Sequence, residues 1–173
     1  MPSGRADAIP LVIKLVRQAD PDSVLDIGSG FAKWGFLLRE YLEVWQGRLT
    51  PREWKKRIDA IEVWGPYTKL PWYPILYNKV VVANVMSKLD LLKSYDLVLM
   101  VDVIEHLAKA DGQHLLKHCK RWIIVTPAYN RPQETRFDNK HERHLSYWGP
   151  GQFQEKALVG ETREQQMTVA WHL

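Results

Sequence analysis

The sequence predicts an α/β sandwich, a mostly parallel sheet with helices on both faces, and three observations carry that prediction. Five short runs, "SVLDI" (23–27), "RIDAIEV" (57–63), "KVVVANV" (79–85), "YDLVLMV" (95–101) and "RWIIVT" (121–126), are largely apolar throughout rather than on alternate residues. Strands covered on both faces have that pattern. Segments of helical periodicity fall between several of them, so strands alternate with helices. The first run ends in "GSG" (28–30), a turn that can carry a strand into a helix beside a ligand.

The elements follow in order. Pro10 suits a first helical turn, and "LVIKLVRQA" continues the helix until "DPDS" breaks it ahead of the first strand. After the glycine turn, Trp34, Leu37, Leu38, Tyr41, Leu42 and Trp45 recur at steps of three and four, which predicts a helix burying all six on one face. "TPRE" (50–53) has the form of a capping box with Pro in the first helical position, so a short helix is expected before the second strand. Three prolines between Trp64 and Tyr77 (Pro66, Pro71 and Pro74) predict an irregular loop, made adhesive by Tyr67, Trp72, Tyr73 and Tyr77. "GQHLLKHCKR" (112–121) reads as a helix between the fourth and fifth strands, with His114 and His118 on its solvent face. The last 25 residues, from Gly149, suffice for a helix and two short strands that complete the sheet.

A chain of 173 residues suits one domain, 1–173. Hydrophobic residues make up 46% and charged residues 25%, an ordinary globular composition that argues against disorder. The net charge of +4 favours an anionic substrate but falls short of a nucleic-acid footprint, and no recognition module or stacking motif is present, which argues against nucleic acid as a partner. A single cysteine, Cys119, permits no internal disulfide and argues against a thiolate metal site, consistent with a reducing, cytoplasmic setting. The longest apolar stretches are too short for a bilayer, and the N-terminus lacks a secretion signal, so no membrane association is expected.

The glycine turn poses the chemical question. A dinucleotide fingerprint, G-x-G-x-x-G, needs a third glycine where this chain has Lys33. Asp26, at the strand end, would oppose a pyrophosphate, and no Walker spacing occurs anywhere. A ligand with a cationic amino-acid end reverses that objection, and the bare backbone of Gly28 and Gly30 permits close approach. S-adenosylmethionine is such a ligand. Its ribose hydroxyls need an acceptor at the end of the second strand, where Glu62 stands, and its adenine a polar group at the end of the third, where Asn84 can both accept and donate.

With "VLDIGSGFAKWG" (24–35) as first motif and "YDLVLMVDVIEHL" (95–107) as fourth-strand segment, followed by "IIVTP" (123–127), most of the chain resembles the class I S-adenosylmethionine-dependent methyltransferases. The resemblance implies a single-domain Rossmann-like sandwich with a seven-stranded sheet whose last strand is antiparallel. It also implies Asp26, Gly28 and Gly30 around the methionine end, Glu62 on the ribose, and Asp102 and the residues after it along the cofactor. The cofactor-binding set is then Asp26, Gly28, Ser29, Gly30, Glu62, Val63, Asn84, Val85, Asp102 and Val103. Ala32 stands where many members have another glycine, and Asn84 where many have Asp.

Methyl transfer from a sulfonium is an in-line displacement in which alignment is the protein's main task, though an oxygen or carbon acceptor also needs a base. His144 ranks first, then His141 and His106, with Asp102 as a further candidate. His144 and His141 lie in a polar stretch, 127–146, too long for a compact domain unless it serves as a lid or substrate loop. Without an H-E-x-x-H helix or nearby cysteines, no metal is assigned. Trp72, Tyr73 and Trp148 are candidates for stacking on a flat ligand. Arg131, Arg136, Lys140 and Arg143 would give the site a cationic rim suited to a small polar acceptor, anionic or sugar-like. Two other readings remain: a non-catalytic protein that keeps the nucleotide pocket for regulation or assembly, and a nicotinamide-dependent oxidoreductase.

Overall fold

In the computed structural model, which describes residues 6–153, 158–161 and 167–173, the strands form one sheet. They are β1 (Ser23–Ile27), β2 (Arg57–Glu62), β3 (Lys79–Val82), β4 (Leu97–Val101), β5 (Trp122–Pro127), β6 (Leu158–Glu161) and β7 (Met167–His172), in the order β3-β2-β1-β4-β5-β7-β6. β1 is parallel to both β2 and β4, β2 to β3, and β4 to β5. β7 runs antiparallel to β5 and β6. Chain order reverses at β1, which lies between β2 and β4, so the carboxyl ends of β1 and β4 form the crevice where ligands of such sheets bind.

Alternate strand residues feed two cores. Val24, Ile58, Ala60, Leu97, Leu99, Ile123 and Val125 pack on α1 (Ile9–Ala19), α2 (Lys33–Leu42) and α3 (Tyr73–Leu76). Leu25, Ile27, Ile61, Val98, Met100 and Ile124 face the other way, onto Leu92 of α4 (Leu89–Leu92) and Leu115 of α5 (Lys109–Leu116). Burial on both faces is why these runs lack polar alternation. Among the described residues no helix is long and apolar enough to cross a membrane.

Several elements depart from the sequence reading. α2 ends at Leu42, so Trp45 falls in a 3-10 turn, 55% exposed, with the Arg17 guanidinium 5.1 Å from its ring centroid. It therefore leaves the buried stripe. "TPRE" closes its capping box, Thr50 N and Oγ1 both donating to Glu53 Oε2 at 2.8 and 2.9 Å, but the segment stays a turn. No helical run follows to carry it on. The stretch after β2 is not irregular: Pro66 and Pro74 sit in the first turns of a 3-10 segment (Gly65–Lys69) and of α3, where the missing N–H costs nothing. α5 covers Lys109–Leu116 and stops before His118, while β3 ends at Val82 because Asn84 caps a 3-10 turn. Toward the C-terminus a 3-10 turn (Pro150–Gln152) precedes β6; the rest of the expected helix, residues 154–157, lies outside the described residues.

Candidate functional site

A cavity of about 270 Å³ opens at the carboxyl ends of β1, β2, β3 and β4, near the lower bound of small-molecule pockets, about 300 Å³. Each strand end supplies part of its wall: Gly28 and Gly30 after β1, Glu62 and Val63 after β2, Asn84 and Val85 after β3, Asp102 and Val103 after β4. These are eight of the ten cofactor residues expected from the sequence.

The floor is the glycine turn. Gly28, Gly30 and Ala32 take positive φ values of 68°, 53° and 65°, so the chain reverses through alternating left-handed residues before α2. Gly28 needs its glycine twice over, since a Cβ there would also come within 2.5 Å of Val103 Cγ2. Ala32 holds the same left-handed conformation with a methyl group, at some backbone strain. The amide of Gly30 donates to Glu62 Oε2 at 2.9 Å and that of Trp64 to Glu62 Oε1 at 2.8 Å, which fixes the carboxylate in the wall. Each carboxylate oxygen can accept a second hydrogen bond. Burial pushes the Glu62 carboxyl above its ordinary range, and the two amides act against that shift.

Asp26 and Ser29 stand elsewhere. Asp26 is fully buried beneath the turn; Tyr77 Oη donates to its Oδ2 at 2.6 Å, and Oδ1 has no partner among the described residues. Burial, reinforced by the nearby Glu62, raises its carboxyl to about 7 despite the Tyr77 bond. Asp26 thus underpins the turn and does not face the cavity, because the strand's alternation turns its side chain toward Tyr77. Ser29 bonds the Tyr73 hydroxyl at 2.8 Å, and that hydroxyl donates to Gly30 O at 2.7 Å.

The aromatic segment expected to touch a flat ligand instead braces this turn from outside. Trp72 Nε1 donates to Phe31 O at 3.1 Å, while Tyr73 and Tyr77 hold Gly30 and Asp26. Trp148 is buried in the core beside Phe153. None of Trp72, Tyr73 and Trp148 lines the cavity. Tyr67 does, a loop aromatic that sequence reasoning passed over in favour of Trp72 and Tyr73.

The wall is acidic. Glu62, Asp102, Asp111 and Glu142 line it, and no lysine or arginine does among the described residues. Asn84 contributes less than expected as an acceptor, since its Oδ1 already receives Met86 N at 2.9 Å. Arg131, Arg136, Lys140 and Arg143 belong to the long loop and do not line the cavity, though Arg136 and Lys140 stand near the lining residues Glu142 and His141.

That loop folds back over the cavity. Asn139, His141, Glu142 and Leu145 line it, Asn139 capping a 3-10 turn (Lys140–Glu142) through its bond from His141 N. The loop is anchored at Glu105, whose carbonyl accepts both Leu145 N at 2.8 Å and Ser146 N at 3.0 Å. His106 and His141 face the cavity, whereas His144, ranked first from the sequence, stands behind His106 with ring centroids 4.9 Å apart. Burial pulls the His106 imidazole down to about 4 and lowers those of His141 and His144, so all three favour the neutral form. Ligating atoms of Glu105, His106 and His144 all lie within 4.8 Å of one another. His106 and His144 are far apart in the chain, which hid the grouping from spacing rules.

No protein-family model matches the chain, and no curated protein matches it in sequence. Solved structures do. A methyltransferase from Geobacter sulfurreducens aligns over all of this chain and 81% of its own, with TM-score 0.63 and 13% identity. A protein of Nostoc punctiforme PCC 73102, described as a candidate O-methyltransferase, aligns over 96% of this chain with TM-score 0.61 and 14% identity; the chain spans only 56% of its length. PigF, solved with S-adenosylhomocysteine (SAH), gives TM-score 0.59 and 15% identity over 96% of this chain and 54% of its own. The fold is that of the class I S-adenosylmethionine-dependent methyltransferases.

Proposed function

We propose that the chain binds S-adenosylmethionine in the cavity and transfers its methyl group to a small polar acceptor, anionic or sugar-like. The observation that carries this reading is that the charged side chains in the wall above the bare glycine turn are carboxylic acids. Four carboxyl-bearing side chains and no lysine or arginine line the cavity among the described residues. That wall attracts a sulfonium or an ammonium and repels a pyrophosphate. When bound, the cofactor supplies an electrophilic methyl group on a sulfonium.

Gly28 and Gly30 give the ligand backbone to lie against, Glu62 offers its remaining acceptor capacity to a ribose, and Val63, Asn84, Val85, Asp102 and Val103 complete the wall. Asp26 and Ser29 act through the turn they support. His141 is the base that best fits an acceptor at this wall. It lines the cavity, burial favours its neutral form, and its ring lies 6.5 Å from that of Trp64. The cations of the loop would draw an anionic acceptor toward the mouth.

Calorimetric titration tests the reading. S-adenosylhomocysteine should bind with one site and Glu62→Gln should weaken it, while NADH gives no heat. Binding of NADH without binding of S-adenosylhomocysteine would overturn the proposal. With donor present, His141→Ala should lower kcat by about 100-fold, the usual contribution of a positioned base.

A further inference from the structure

Glu105 is 2% exposed. Its Oε2 accepts from Thr126 Oγ1 at 3.1 Å, and its Oε1 is buried with no partner among the described residues. An acceptor left so is costly, and a group that stays so calls for a missing partner. The two imidazoles beside it are arranged to complement that need. His106 Nδ1 faces Arg143 O at 3.0 Å, and His144 Nδ1 faces Arg131 O at 2.6 Å. A carbonyl can only accept, so these two contacts suit a proton on Nδ1, the tautomer that leaves Nε2 as the lone-pair nitrogen; the Asp102 carbonyl also bonds the His106 ring. This is the outer-shell arrangement that orients metal-bound histidines.

We propose that Glu105, His106 and His144 bind one divalent transition-metal ion through the Glu105 Oε1 atom and the two Nε2 atoms, with open coordination positions toward the cavity. Around a zinc-sized ion, ligand atoms at about 2 Å from the metal stand about 3 to 4 Å from one another. The observed spread, within 4.8 Å, closes to that by small side-chain rotations. Two imidazoles with one carboxylate suit Zn²⁺, Mn²⁺, Fe²⁺ or Co²⁺ and disfavour Mg²⁺ and Ca²⁺, which prefer all-oxygen shells. His106 also lines the cavity, so the open positions suit an oxygen ligand there, which a metal makes easier to deprotonate. Binding of the ion stands on the three side chains alone. Presentation of an acceptor oxygen rests on the methyl-transfer reading.

The test uses the full chain, stripped with chelator and titrated with Co²⁺, read by visible absorption and by calorimetry. One equivalent should bind, with Mg²⁺ at least about 100-fold weaker. His144→Ala should weaken Co²⁺ at least about 10-fold, while S-adenosylhomocysteine still binds. Glu105→Gln should do the same; if that buried substitution prevents folding, judged by circular dichroism, His144→Ala decides alone. His114→Ala is the necessary control, because His114 and His118 form a surface pair with ring centroids 4.7 Å apart that could itself hold Co²⁺. That variant should leave the spectrum unchanged. Absence of Co²⁺ binding, binding undiminished in His144→Ala, or loss of binding in His114→Ala overturns the proposal. Co²⁺ binding by a chain that gives no calorimetric heat with S-adenosylhomocysteine supports the metal site and refutes the methyl-transfer reading.

Discussion

Replacing Asp26 by Asn should change how stability depends on pH. In the folded chain the Asp26 carboxyl is raised from 3.8 to about 7, chiefly by burial, so between those values the native state holds a proton that the unfolded chain has released. Stability from this group is complete below about pH 4 and is lost as pH rises through about 7. Each tenfold tightening of proton binding is worth about 1.4 kcal/mol, so wild type should lose about 2 to 3 kcal/mol between pH 5 and pH 8 on account of this residue. The amide of Asp26→Asn keeps an oxygen to accept from Tyr77 Oη and cannot ionise, so the variant lacks that slope. Urea denaturation of both proteins at pH 5, 6, 7 and 8 gives the difference in stability at each pH. The contribution of other titrating groups largely cancels in that difference. The variant should gain on wild type steadily up to pH 7 and level off beyond it. A difference independent of pH, or one that moves the other way, refutes the assignment of a buried, half-protonated acid beneath the turn.

Three further perturbations probe separate parts of the molecule. Gly28→Ala forces a methyl against Val103 Cγ2 in a left-handed conformation; a loss of about 2 to 3 kcal/mol is expected by denaturation, with partial recovery when Val103→Ala removes the obstructing branch. Glu62→Gln weakens charge-assisted bonds from the Gly30 and Trp64 amides, so calorimetry should show S-adenosylhomocysteine affinity falling by about 10-fold, near 1.4 kcal/mol. Glu43 is fully buried, accepts from the Lys55 and Lys56 amides, and pairs with Arg39 and Arg48. Glu43→Ala should therefore cost about 3 to 5 kcal/mol and lower Tm by roughly 10 °C in a thermal melt, because it strands buried positive charge far from the cavity.

What the sequence made legible was whatever depends on local periodicity and on strand ends. Apolar runs located β1 to β5, four of them buried on both faces and β3 a half-exposed edge strand with Val82 open to solvent, and a ligand edge at their carboxyl ends follows from parallel pairing, so Gly28, Glu62, Asn84 and Asp102 could be placed from the residues alone. What stayed hidden depends on side-chain direction. Asp26 stands one residue before Ile27, so strand alternation sends its carboxyl under the turn, and its strand-end position gave no sign of that. Trp72, Tyr73 and Tyr77 were legible as adhesive, but what they adhere to is the backbone of the glycine turn and the Asp26 carboxyl. Trp45 was assigned to a helical face by a period that runs past the helix's own end.

The loop from 127 to 146 shows the same limit most clearly. Its length and polarity marked it as functional, yet its histidines could be ranked only by position along the chain, which put His144 first. The structure instead anchors the end of the loop that carries them at Glu105. The backbone carbonyl of that residue holds Leu145 and Ser146, and its side chain reaches into the space that His106 and His144 enclose. Displacing the loop would therefore separate His144 from Glu105 and His106 and remove Asn139, His141, Glu142 and Leu145 from the cavity wall at once. One position of the loop therefore both completes the cavity wall and brings His144 to Glu105 and His106.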